Sequence, residues 1–228
     1  MVYRSKRDAA RNADVDAVIK ETNMKDFESL YQQSPDPWQV RTSWYEQRKR
    51  ALLVACLPHA RYGRVLELGC GNGETTRLLA PRCDTLIAVD ESPTAIRLCE
   101  QALKQDGLTN VHAYVARLPD EWPLREGETC DLVVVSELAY YFAEPHLSRL
   151  LERCRAALAP RGEWVMCDYT KDLDGRPQPT PALHTRVDGL TGMTRIIHHE
   201  DEHFHLDIWR DAGAHGGPVP VNAKGSLA

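Results

Sequence analysis

The sequence predicts an α/β protein with a mostly parallel, Rossmann-like sheet, helices on both faces and a C-terminal antiparallel hairpin. Three observations carry this. Short apolar runs alternate with helical patterns between residues 65 and 168, the rhythm of a sheet built by helical crossovers. The first run, V-L-E-L, breaks into G-C-G-N-G and leads into a helical stretch, the opening of a nucleotide-binding unit. The run L-V-V-V at residues 132–135 is apolar at every position, as a strand covered on both faces requires.

In chain order, residues 1 to about 30 carry a charged helical pattern, and residues 1–33 are expected to form an arm or lid. Ser34-Pro35-Asp36-Pro37 breaks it. Residues 42–57 read as a helix stopped by Pro58. Strand 65–68, helix 74–79 ending before Pro81, strand 85–89 and helix 93–105 follow. Then come strands 111–115 and 131–135, helix 144–157 and strand 163–168. Beyond Tyr169 the polar K-D-L-D-G-R-P-Q-P-T-P reads as a loop. Two β-like runs around the acidic turn of T-R-I-I-H-H-E-D-E-H-F-H-L-D-I-W-R suggest the closing hairpin. Residues 34–210 thus form the main domain, and 211–228, rich in Gly, Ala and Pro, are expected to be disordered.

Composition narrows the class of function. At 228 residues, 43% hydrophobic and 27% charged, the chain has the make-up of a soluble globular domain. It contains no apolar run of the ~18 residues a membrane span needs. Its first twenty residues lack the apolar core of a signal peptide, so a cytoplasmic location is expected. Seven cysteines without C-x-x-C spacing suggest reduced thiols. A net charge of −5 gives no support for a nucleic-acid partner.

The glycine turn discriminates among nucleotides. A dinucleotide fold wants G-x-G-x-x-G, but Glu74 stands where the third glycine belongs. No G-K-[ST] follows, which excludes a P-loop. The pattern present is E-x-G-x-G-x-G, with Glu67 ahead of Gly69, Gly71 and Gly73. It resembles motif I of class I S-adenosylmethionine (SAM) methyltransferases. That cofactor has no phosphate and a cationic amino group and sulfonium, which an acid at the strand end suits. The next strand ends in Asp90-Glu91, where a carboxylate can accept both ribose hydroxyls. Each acid also has a plain structural reading: Glu67 as a loop cap, Asp90 as a helix N-terminal acid.

The resemblance narrows to the nodulation-protein-S group, which N-methylates the free amine of a deacetylated chitooligosaccharide. It rests on D-P-W (Asp36–Trp38), Y-E-Q (Tyr45–Gln47), R-L-L-A-P-R-C-D and C-D-L-V-V-V-S-E-L-A-Y-Y-F, and fades beyond Asp168. It implies the class I methyltransferase fold with seven strands, SAM as donor and S-adenosyl-L-homocysteine as product. It also implies that Trp38 and Tyr45 line the cofactor pocket, although both read equally as aromatic anchors. Many superfamily members carry an acid after the third strand for the adenine amine. Here Ala116-Arg117 stand there, leaving backbone groups of that pair, or Asp120, as the adenine contact.

Chemistry belongs at the carboxyl edge of the fourth strand, which places Ser136, Glu137, Tyr140 and Tyr141 beside the transferred methyl. Ser136 joins the cofactor set. Glu137 is a candidate base or ammonium holder, and Tyr140 and Tyr141 are candidates to bond or stack on the acceptor. His184, in T-P-A-L-H-T-R, is a second candidate base, with a packing role slightly favoured. The cluster His198, His199, His203 and His205 flanks a turn without a ligand set, so no metal is expected. The acceptor is expected to be a small molecule: an amino sugar or related amine, otherwise a sugar or natural-product hydroxyl. The remaining alternative is a SAM-binding protein without catalysis. Oligomeric state is not legible.

Overall fold

The computed structural model describes residues 26–171 and 176–213. The expectations for most of the arm, residues 1–25, and for the tail beyond 213 fall outside them. Seven strands form one sheet in the order β3-β2-β1-β4-β5-β7-β6. β1 (Tyr62–Leu68), β2 (Cys83–Asp90), β3 (Val111–Val115), β4 (Cys130–Ser136) and β5 (Leu158–Tyr169) pair in parallel. β7 (Phe204–Asp211) is antiparallel both to β5 and to β6 (Met193–Glu200), so β7 alone runs against the other six. The chain winds outward from β1 to β3, then restarts at β4 on the other side of β1. That switch opens a crevice at the carboxyl ends of β1 and β4.

The apolar run of the fourth strand does what its composition requires. Val133 and Val135 pack into one core cluster, with Leu66, Trp164 and Met166. Leu132 and Val134 pack into the other, with Val65, Leu86 and Val165. Burying each such side chain contributes about 1.5–3 kcal/mol, and the period of two divides that gain between the faces. Helices α1 (Phe27–Gln33), α2 (Trp44–Cys56), α3 (Thr76–Leu79), α4 (Pro93–Gln105), α5 (His146–Ala156) and α6 (Thr180–Asp188) accompany the sheet. α4 starts where its signals place it: Ser92 accepts the Ala95 N–H, and Pro93 occupies the first turn. It buries Ala95, Ile96, Leu98, Cys99, Ala102 and Leu103, a helical stripe.

Three elements differ from expectation. α3 spans a single turn and continues as the 3-10 turn Ala80–Arg82, because the glycine turn extends to residue 75 and Pro81 stops the chain beyond. β5 begins at Leu158, since a register shift against β4 between Cys130 and Leu132 absorbs the extra residues around Pro160–Gly162 within the strand. α6 replaces part of the expected loop. It is only 9 residues long and is capped by Pro179, yet Thr180, Leu183, His184 and Val187 lie on one buried face.

Candidate active site

The carboxyl ends of β1, β2 and β4 frame a cavity of about 490 Å³. On its donor side the glycine turn runs with φ of +54° at Gly71 and +87° at Gly73, a region where a side chain is strained. Gly71 lines the cavity, and a Cβ there would lie 2.5 Å from the Tyr31 hydroxyl. Gly73 does not line it. A Cβ on Gly73 would lie 2.7 Å from Cys99 Sγ and 3.0 Å from its Cα, so this glycine lets the turn pack on α4. Gly69 lines the cavity beside Glu67.

Asp90 closes the turn from the neighbouring strand. Its Oδ2 accepts the Gly71 N–H at 3.0 Å and its Oδ1 the Ser92 N–H at 2.9 Å. Burial still moves its carboxyl above the usual range. Glu91, Ala116, Arg117 and Ser136 also reach the cavity. The N–H of Ala116 is committed to Asp90 O, and that of Arg117 to Glu121. An adenine amine, being a donor, would therefore meet carbonyls here. Asp120 stays outside, paired with Arg149 on α5.

Glu67 supplies the test of whether this wall fits SAM. It is buried, lines the cavity, and its Oε2 has no hydrogen-bond partner. Burial lifts its carboxyl to about 8, against a bond from Thr76. An orphaned acid oxygen costs stability unless a donor meets it, and the amino group of SAM is such a donor. Since the bound ammonium favours the ionised acid, ligand binding at pH 7 is expected to expel up to about one proton. Affinity for S-adenosylhomocysteine should then climb by at most about tenfold per pH unit between roughly pH 5 and 8. Calorimetry in buffers of different ionisation enthalpy reads the proton directly, and Glu67→Gln should abolish it.

The roof comes from the segment ahead of the sheet. Asn72 Nδ2 donates to Pro35 O at 3.2 Å and Asp36 accepts the N–H groups of Val40 and Arg41, tying the D-P-W stretch to the glycine turn. Trp38 meets Tyr31 edge-on at 5.4 Å, and Phe27 meets Tyr141 at 5.0 Å. Trp38 and Tyr45 therefore line the cavity and anchor helices at once. α1 is latched by Glu28, which accepts from Ser92 Oγ at 2.6 Å and from Thr94 N at 3.0 Å. The Ser92 and Thr94 bonds hold its carboxyl down at about 2.

The opposite wall is charged. Glu137 leaves β4 with φ +56°, a conformation that costs a non-glycine residue about 1 kcal/mol or more. Its N–H is shared between Cys167 O and Asp168 Oδ1, each at 3.1 Å. Its carboxylate accepts Lys49 Nζ at 2.6 Å and the Tyr140 hydroxyl. Burial opposes ionisation, but the charge and hydrogen bond of Lys49, with the Tyr140 bond, hold Glu137 below the usual range. Lys49 is buried and also bonds Glu46 at 2.9 Å. The Arg176 guanidinium lies 3.6 Å from the Tyr140 ring centre and completes a wall of alternating sign. Tyr140 and Tyr141 both face the cavity.

His184 is not brought to this site, which corrects its expectation as a base. It is buried between Asp168 and Asp207, with both ring nitrogens engaged, and is absent from the cavity wall. Of the histidine cluster, His203 lines the cavity, whereas His198 bonds Asp207 and His205 pairs with Glu200. Among the described residues no group of three or more His, Cys, Asp or Glu side chains is arranged to hold a metal. Lys49, Glu46 and Arg176 escape sequence reasoning. R-K-R at residues 48–50 carries no local mark of burial, and only the i, i+3 spacing of Glu46 and Lys49 hints that they share one face.

A methyltransferase-domain family model matches residues 65–162. A Pseudomonas syringae protein assigned to the methyltransferases is 38% identical, with a TM-score of 0.64 over 74% of this chain and 99% of its own. Nodulation protein S of Sinorhizobium fredii is 28% identical over 63% of this chain. The match spans 66% of that relative, just under two thirds of its length. The N-methyltransferase NodS of Bradyrhizobium japonicum, solved with S-adenosyl-L-homocysteine, gives a TM-score of 0.70 at 22% identity. It covers 81% of this chain and 97% of its own, a likeness of fold.

Proposed function

This chain belongs to the class I SAM-dependent methyltransferases, and we propose that it methylates the amine of an amino sugar or a related small molecule. The observation that carries the acceptor reading is the ionised Glu137 carboxylate, set with Tyr140 and Tyr141 across one cavity from the glycine turn. SAM, when bound, supplies a methyl group activated by its positive sulfur. What this chain adds is orientation and charge. Attack by a neutral amine moves positive charge onto nitrogen, and a fixed carboxylate beside that nitrogen stabilises the charge as it develops.

The same contacts argue against Glu137 as a strong base. Its carboxyl is held low and both its oxygens are engaged, so the amine has to arrive already deprotonated. Glu137 is then an orienting and charge-stabilising residue. Glu137→Gln is expected to lower kcat by about a hundredfold with S-adenosylhomocysteine affinity within a few-fold. A collapse of that affinity instead would make Glu137 a cofactor residue.

The direct test is transfer of labelled methyl from SAM to a glucosamine oligomer, beside its fully N-acetylated counterpart. Label on the free amine alone supports the proposal. Label on neither, with S-adenosylhomocysteine binding verified, moves the acceptor to a hydroxyl or a non-sugar molecule.

A further inference from the structure

A buried line of hydrogen bonds joins the outer hairpin to the Glu137 peptide. His184 on α6 has Nδ1 2.7 Å from Asp207 Oδ2 and Nε2 3.0 Å from Asp168 Oδ2. All three side chains are buried. Asp168 turns its second oxygen to the Glu137 N–H at 3.1 Å, and Asp207 turns its own to His198 Nδ1 at 2.7 Å. With both aspartates ionised, two carboxylate oxygens facing two ring nitrogens call for two N–H donors, which only the imidazolium has.

We propose that His184 is a positioning residue: through Asp168 it holds the Glu137 peptide, which carries the Glu137 carboxylate at the acceptor end of the cavity. This rests on reading the cavity as the site of methyl transfer. The peptide needs such a hold, because Glu137 sits at φ +56° and its N–H has only Cys167 O besides Asp168. Loss of one proton from His184 would set a nitrogen lone pair against a carboxylate. One aspartate must then turn away or take up a proton. A turn of Asp168 leaves the Glu137 N–H with Cys167 O alone, so the peptide shifts while Lys49, Tyr140 and the Tyr169 N–H keep the carboxylate.

The charges around the ring favour the imidazolium. Burial pulls its pKa down, but the bonds and charges of Asp168 and Asp207 lift it to about 9. On β6, Arg195 and His198 face Asp207 rather than the ring, and on β7 the His205 ring stands 6.0 Å away. Burial lifts the Asp168 carboxyl against the bond and charge of His184, and on the cavity side Glu137 and Arg176 act on it with opposite signs.

The test uses the full chain. Nuclear magnetic resonance should show the Glu137 amide moving with the same midpoint as the His184 ring. Asp207→Asn removes one of the two charges on the ring, so that midpoint and the alkaline limb of kcat should both fall by about one pH unit. Affinity for S-adenosylhomocysteine should stay within a few-fold. A Glu137 amide that stays still while His184 titrates, or an alkaline limb left in place by Asp207→Asn, overturns the proposal. The titration needs neither variant nor acceptor. Co-titration without turnover on glucosamine oligomers would therefore keep the positioning role and sink the acceptor reading, and it decides alone if the variant does not fold.

Discussion

Lys49→Met is expected to lower the unfolding free energy by about 3–5 kcal/mol, the cost of removing one partner from a buried ion pair. Lys49 is 3% exposed and is the cation between Glu46 and Glu137. Methionine fits the volume but leaves two carboxylates without their counter-charge. For a chain of this size the melting temperature should drop by roughly 10 °C. The pH dependence identifies the cause. Without Lys49, both acids have folded pKa values above their unfolded ones, so the variant is least impaired in acid and loses stability as pH rises through that interval. Adding Glu137→Gln should recover part of the loss, because one stranded charge disappears. A loss below about 1 kcal/mol that is flat with pH would mean that water reaches Lys49 and the pair is a surface one.

Asp90→Ala is expected to weaken SAM and S-adenosylhomocysteine binding by about ten- to hundredfold, or 1.5–3 kcal/mol. Two effects add. A charge-assisted acceptor for the ribose hydroxyls is removed, and the N–H groups of Gly71 and Ser92 lose the carboxylate that fixes the turn. Asp90→Asn keeps one acceptor oxygen and should fall between the two. Titration calorimetry measures both, and an unchanged affinity in Asp90→Ala would remove the ribose role from the end of β2.

Legibility in the sequence followed the range of the forces involved. The strands of the parallel sheet and α4 are written in local period, capping and burial, so residues 111–115 and 93–105 are found with their observed bounds. The donor wall is equally local, since Glu67, the glycine turn and Asp90 lie on adjacent strand ends. α6 was hidden because nine residues, preceded by Pro179 and carrying Pro181 in the first turn, give too short a pattern. Of the charged wall, Glu137 was legible but its cations were hidden, for a different reason. Lys49, Glu137 and Arg176 come from α2, β4 and the stretch after β5, and nothing local marks which lysine on a basic helix turns inward. His184 was visible as a residue, but its two aspartates lie 16 and 23 positions away, so its role could not be read from its neighbours.

The contact between Tyr31 and Gly71 reaches beyond this molecule. A side chain at position 71 would strike the Tyr31 hydroxyl at 2.5 Å, although the two residues are forty positions apart. In homologous chains these positions should therefore co-vary: any relative with alanine or serine at 71 must carry a shorter residue at 31, or seat its leading helix elsewhere. The identities of two residues thus tell, for any homologue, whether the same helix closes over its cofactor loop.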